Sequence, residues 1–247
     1  MGRLRGRVAL VTGSTRGIGN AVAHRLATEG ARVIVHGRAE RAVVDAAAAI
    51  EGAIGVTGAI EDPEQVRALC ERALELTGTV DIVVNNAGAS VHHPFLQDTD
   101  DEWHHLLAVN LFGPREVLRH LLPGMQRAQW GRIVNVTSEA GIRGTAGYPA
   151  YAASKGALVA FSLTLALELA DTGVCVNAFA PVALTDMVRS QVTPRTLEYL
   201  VARGFPTVED CAEEMVPLLV DDAATGQVVL MHLGNQRTET IADLSTS

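Results

Sequence analysis

Short runs rich in β-branched residues recur along this 247-residue chain and alternate with longer amphipathic segments, which restricts the folds open to it. The runs are "RVALVT" (7–12), "RVIVHG" (32–37), "AIGVTG" (53–58), "VDIVVN" (80–85), "RIVNVT" (132–137), "VCVNAF" (174–179) and "QVVLMH" (227–232). Helices are expected between most of them, at about 17–29, 40–51, 63–77, 100–122, 150–171 and 208–219. Runs that are apolar almost throughout read as strands buried on both faces. In this order they build a doubly wound α/β fold of Rossmann type around a parallel sheet of about seven strands. No repeat, linker or composition break divides the chain, so residues 1–247 read as a single domain. Ligands of such a fold bind beyond the carboxyl ends of the strands, and the chemistry is expected from segments that follow strands.

Charge narrows the partners. A net charge of −8 argues against nucleic acid or an anionic membrane, which need clustered Lys and Arg. The one basic cluster, Arg3, Arg5 and Arg7, reads as a solvated flank of the first strand. The most apolar stretch, 157–170, is interrupted by Ser162, Thr164 and Glu168, so it reads as a buried helix rather than a membrane span, and no signal peptide is evident. Cys70, Cys175 and Cys211 are odd in number and widely spaced, which fits free thiols in the cytoplasm.

Two stretches carry chemistry. The first strand leads into "TGSTRGIG" (12–19) and then a helix. Gly13, Gly17 and Gly19 permit a tight turn and close approach to a ligand, and the helix start offers free N–H groups to a pyrophosphate. The whole loop from Gly13 through Ser14, Thr15, Arg16, Gly17 and Ile18 to Gly19 is a candidate dinucleotide cradle. The second stretch is "YPAYAASK" (148–155). Residues four apart share a helical face, so Tyr151 has Lys155 beside it whereas Tyr148 has Ala152. An adjacent ammonium favours phenolate, so Tyr151 is expected to be more acidic than an ordinary phenol and to serve as proton donor or acceptor.

The TGxxxGxG spacing, "NNAG" at 85–88 and Tyr151-xxx-Lys155 together resemble the short-chain dehydrogenase/reductase family, from about residue 7 to residue 231. The resemblance implies a soluble carbonyl reductase similar to the 3-oxoacyl-[acyl-carrier-protein] reductases, using NADPH/NADP+ rather than NADH. Ser138, which ends the fifth strand, would hydrogen-bond the substrate oxygen; Thr137 points to the opposite face. Asn110 in "AVNLFG" would hold a water linking the lysine to solvent, and Lys155 would also bind the nicotinamide ribose. Asn86, Ala87 and Gly88 would form a turn on the adenosine side. Pro181, Val182 and Thr185 would face the nicotinamide amide, with Val182 where the family commonly has glycine.

The cofactor preference rests on "VHGRAE". Gly37 stands where NAD-preferring members carry an acid, and Arg38 follows it, with Arg16 a second cation for a 2′-phosphate. Ala59 replaces the family's adenine-contacting aspartate, which leaves Ile60 to cover the ring. By position and amphipathic character segment 186–206 would take the place of the family's variable substrate lid, with Met187, Val188, Leu197, Tyr199 and Leu200 either as its apolar lining or packed onto the domain. His92, His93 and Arg143 are candidates for the pocket mouth. No metal site is expected, since neighbouring helical histidines such as His104 and His105 diverge by about 100°. A homo-oligomer, tetramer or dimer, is implied, though the altered "MHLGN" end weakens the tetramer. Two alternatives stay open: a catalytically drifted NADP(H)-binding sensor or structural partner, and an NAD-linked alcohol dehydrogenase.

Overall fold

Every sequence-predicted strand forms, and all lie in one sheet. The structure, a computed structural model, describes residues 2–183, 185, 193–202, 204–232 and 238–243. The strands are β1 (Val8–Val11), β2 (Arg32–Gly37), β3 (Ile54–Thr57), β4 (Ile82–Asn85), β5 (Gly131–Val136), β6 (Val174–Ala180), β7 (Gln227–Met231) and β8 (Thr238–Asp243). Their order is β3-β2-β1-β4-β5-β6-β7-β8. The first seven are parallel; β8 runs antiparallel to β7, past an irregularity at Val228/Val229. Because β1 pairs with β2 on one side and β4 on the other, the winding reverses there. That reversal opens the crevice in which α/β folds bind ligands.

Alternation along each strand feeds two cores. Ala9 and Val11 face the layer holding Val22, Leu26 and Met215, whereas Val8 and Leu10 face the layer holding Val66, Leu69, Leu118 and Leu121. The first layer is α1 (Gly17–Thr28), α2 (Glu40–Ala48), α9 (Val208–Met215) and α10 (Pro217–Val220). The second is α3 (Pro63–Thr77), α5 (Gly113–Ala128) and α7 (Pro149–Glu168). Three further helices are α4 (Asp100–Leu107), α6 (Glu139–Arg143) and α8 (Pro194–Ala202). Helix α7 is long and apolar enough to cross a membrane by composition, yet here it packs on β6 with Ser154, Lys155, Leu158 and Ser162 buried.

Two departures from the sequence reading matter. The helix expected over 100–122 is interrupted by a π-helical turn at Ala108–Phe112. Pro114 explains the break, because it lacks an N–H and its ring crowds the carbonyl four residues earlier, that of Asn110. The eighth strand was not anticipated; its "TETIAD" covers the β7 edge with the chain's own residues.

Candidate active site

Glycine at three loop positions is required for two different reasons. Gly13 and Gly17 have φ of +64° and +61°, in the left-handed region that side chains disfavour. Gly19 is needed for space: a Cβ there would lie 2.4 Å from Asn86 Nδ2 and 2.6 Å from the Gly13 carbonyl. Helix α1 then starts after Arg16 with no side-chain cap and no acid in its first turn. Its free N–H groups and positive dipole end suit a pyrophosphate, so the residues present fit a dinucleotide.

The loop is clamped from beneath by neutral polar groups, buried or half-buried. Thr12 Oγ1 accepts the amides of Asn86 and Ala87 at 3.0 Å each. Asn86 Nδ2 donates to the carbonyls of Thr12 (2.9 Å) and Gly13 (3.1 Å). The NNAG turn therefore acts as a brace of the loop. Ser14 turns inward, donating to Val11 O at 2.6 Å and accepting from His36 N at 3.0 Å, so its side chain does not line the crevice as expected. His36, which sequence reasoning missed, is 2 % exposed and hydrogen-bonds both Gly13 N and Gly58 O. The available signal was a histidine inside an apolar strand, since a buried polar ring needs partners.

On the adenosine side, Gly37 leaves little room for an acid: a Cβ would lie 2.6 Å from Thr15 Cγ2. Arg16 and Arg38 are both exposed, but Arg38 Nη1 lies 3.9 Å from Glu61 Oε1. An acid thus stands near the predicted phosphate cation, which the local sequence around Arg38 did not disclose. Ile60 also differs from expectation. Its side chain packs into the second core, so it offers backbone rather than an apolar cover.

The chemical end is built by α6 pressing on α7. A Cβ on Gly141 would sit 2.6 Å from Gly156 N and Lys155 C, so glycine is what permits the contact. Ser138 caps α6, accepting from Ala140 N at 3.2 Å, and its hydroxyl stands near enough to Tyr151 to favour the phenolate. Tyr151 and Lys155 lie one turn apart on α7. The expected acidification of Tyr151 by Lys155 is absent. Burial pushes the phenol above its ordinary value, and the nearby Ser138 hydroxyl opposes this only in part. Lys155 is itself 3 % exposed, and burial lowers its pKa to about 8. Its Nζ donates to Val136 O at 2.7 Å.

Asn110 sits in the π turn, fully buried, with its amide committed. It accepts from Ala89 N (2.9 Å) and donates to Ala89 O (2.9 Å) and Ser154 Oγ (3.0 Å). Ser154 Oγ in turn donates to Tyr151 O at 2.7 Å. Gly88 faces both groups: a Cβ would lie 3.2 Å from Asn110 Oδ1 and 3.5 Å from Lys155 Nζ. The structure therefore brings Gly88, Asn110, Ser138, Tyr151 and Lys155 to one end of the crevice.

Tyr148 lies between His92 and Tyr151, with ring centroids 4.7 and 6.0 Å away. His93 instead reaches Glu102 (Nε2–Oε2, 3.0 Å) and Asp98 (Nδ1–Oδ1, 2.8 Å), and its amide donates to Gly147 O. Its two ring nitrogens face different carboxylates, so the cluster works as a brace between loops. Arg143 pairs with Glu139 and with Glu239 of β8. The Val182 carbonyl accepts from Cys211 Sγ at 3.7 Å, which directs it toward α9 rather than into the crevice. Pro181 and Thr185 are half-buried beyond β6. Of the predicted lid, Met187 and Val188 lie outside the described residues. Leu197, Tyr199 and Leu200 lie on α8, none fully buried.

Comparison with known proteins agrees with this geometry. The family model described as short chain dehydrogenase matches residues 7–196. A 3-oxoacyl-[acyl-carrier-protein] reductase of Aquifex aeolicus is 35% identical over 94% of this chain and 98% of its own. A D-beta-hydroxybutyrate dehydrogenase of Cupriavidus necator is 38% identical, covering 92% of this chain and 86% of its own. Among solved structures, an actinorhodin polyketide ketoreductase variant with NADPH superposes with a TM-score of 0.86 at 33% identity, covering 92% of this chain and 96% of that one.

Proposed function

This chain belongs to the short-chain dehydrogenase family of oxidoreductases, and from that premise we propose that it reduces a ketone or 3-oxoacyl carbonyl to a secondary alcohol with NADPH. The observation that carries the reading is the Ser138–Tyr151 hydroxyl pair set one helical turn from the buried Lys155. A bound reduced nicotinamide supplies the hydride. Ser138 Oγ and Tyr151 Oη hold the carbonyl oxygen, and Tyr151 gives it a proton as negative charge develops. Because burial holds the phenol above its ordinary value, it is protonated at working pH and suited to act as the acid. Lys155, buried with its Nζ on Val136 O, would hold the nicotinamide ribose, with Asn110 and Gly88 beside it. In the reverse direction the same groups take the proton from an alcohol.

The loop from Gly13 to Gly19, with Asn86, Ala87 and Gly88 bracing it, would hold the dinucleotide. Arg16 and Arg38 would meet a 2′-phosphate. Glu61 beside Arg38 favours a second reading, an NAD-linked alcohol dehydrogenase, because its carboxylate competes with that phosphate. The reading includes a homo-oligomer, supported by exposed Phe112 and Leu167 next to and on α5 and α7, and a cytoplasmic setting, supported by three free buried cysteines. The test combines NADPH and NADH fluorescence titrations with turnover of ketones and 3-oxoacyl thioesters. Tighter NADPH binding and carbonyl-dependent oxidation of NADPH are expected. Tighter NADH binding moves the reading to the second; tight binding with no turnover across the panel leaves a sensor.

A further inference from the structure

We propose that His36 is a positioning residue for the cofactor, fixing the phosphate loop against the turn after β3 through a neutral imidazole with a single allowed tautomer. The inference rests on the reading that a dinucleotide occupies the loop. His36 is the penultimate residue of β2, buried at the carboxyl end of the sheet. Gly13 N donates to its Nδ1 at 3.2 Å, so that nitrogen carries no proton. Its Nε2 lies 3.1 Å from Gly58 O, so that nitrogen carries one. The backbone of His36 is held as well, with Ser14 N donating to its carbonyl at 2.9 Å and its amide donating to Ser14 Oγ at 3.0 Å.

The ring therefore joins three segments that would surround an adenosine diphosphate: the phosphate loop at Gly13, the end of β2 before Arg38, and the Gly58–Glu61 turn after β3. Arg38 and Glu61 approach each other across the last two. An imidazolium at this place would set a second N–H against that of Gly13, and burial keeps the group neutral, with a pKa of about 4 despite the opposing carbonyl of Gly58 and the carboxylate of Glu61. Gly13's own amide is spent on the ring, so in the cradle this residue contributes its left-handed turn rather than a donor.

Shape separates the two bonds experimentally. Asparagine places an acceptor near the His36 Nδ1 position; glutamine places a donor near Nε2; phenylalanine keeps the ring and removes both. NADPH and NADH dissociation constants, apo melting temperature, and kcat at saturating cofactor are measured for wild type, His36→Asn, His36→Gln and His36→Phe. His36→Phe is expected to weaken cofactor binding about tenfold, the scale of two lost hydrogen bonds at the lower end of their usual worth, with kcat at saturation within about twofold of wild type. His36→Asn, which retains the Gly13 bond, should stay within about threefold. If His36→Phe does not fold, the Asn and Gln variants decide: a Kd raised in at least one of them with kcat intact supports the inference. Lower melting temperatures with unchanged cofactor Kd in every folded variant would make His36 merely structural and overturn it. Failure of wild type to bind either nucleotide would instead overturn the functional reading on which it rests.

Discussion

The two ends of the crevice treat buried polarity in opposite ways. At the phosphate loop the groups are neutral and multiply bonded: buried Thr12, Ser14 and His36 with half-buried Asn86 lock three strand ends together. At the α6–α7 end a tyrosine and a lysine are both pushed by burial away from their charged forms. The first arrangement stabilises shape, because satisfied buried hydrogen bonds rigidify a fold. The second stores free energy in the site. A lysine whose pKa falls from 10.5 to about 8 costs the folded state roughly 3 kcal/mol when it is held charged at neutral pH. Such a cost is characteristic of groups kept for chemistry.

The contrast breaks most visibly at Tyr151. Tyr151→Phe is expected to reduce kcat by about 10³-fold while leaving NADPH affinity unchanged, as measured by steady-state kinetics and fluorescence titration. Tyr148→Phe should keep most activity, since it has Ala152 rather than Lys155 on its helical face. Equal losses in both variants would erase the distinction between them.

Next comes the stored cost itself. Lys155 has a lower pKa folded than unfolded, so between about pH 8 and 10.5 the unfolded chain binds more protons and this group makes stability rise with pH. Lys155→Met should remove that rise, seen as a wild-type-minus-variant difference in chemical denaturation of up to about 3 kcal/mol across the window. A flat difference would place the lysine in a wetter site than the structure does.

Smaller effects sharpen the comparison. Gly141→Ala adds a Cβ against Lys155 and Gly156, which should separate α6 from α7. About 1–3 kcal/mol of stability should be lost, with kcat falling more than cofactor affinity. Arg38→Ala touches only an exposed side chain, so NADPH binding should weaken about five- to tenfold with NADH unaffected. An unchanged ratio would favour the NAD-linked reading that Glu61 suggests.

Much of this was legible in the sequence, for local reasons. Strand boundaries fell within about two residues because each run is apolar and β-branched, and the glycines of 13–19 sit where the chain must turn tightly. That Tyr151 and Lys155 share one helical face followed from spacing. What escaped depends on partners distant in sequence. His36 gives no local pattern, Gly141 and Gly156 matter only because two helices meet there, and β8 exists because β7 leaves an edge to cover. The acidity of Tyr151 was misjudged for the same reason. Spacing places the ammonium, but only the packed fold reveals that both groups are desolvated together.

Isotope transfer addresses the catalytic assignment most directly. Reduced nicotinamide cofactor carrying deuterium at its transferable position is incubated with the protein and a ketone that turns over, and the alcohol is read by mass spectrometry. One deuterium per alcohol, at the former carbonyl carbon, is predicted for wild type, with product formation lost in Tyr151→Phe. Alcohol formed without the label, or labelled alcohol made equally well by Tyr151→Phe, would contradict the assignment of hydride source or of proton donor.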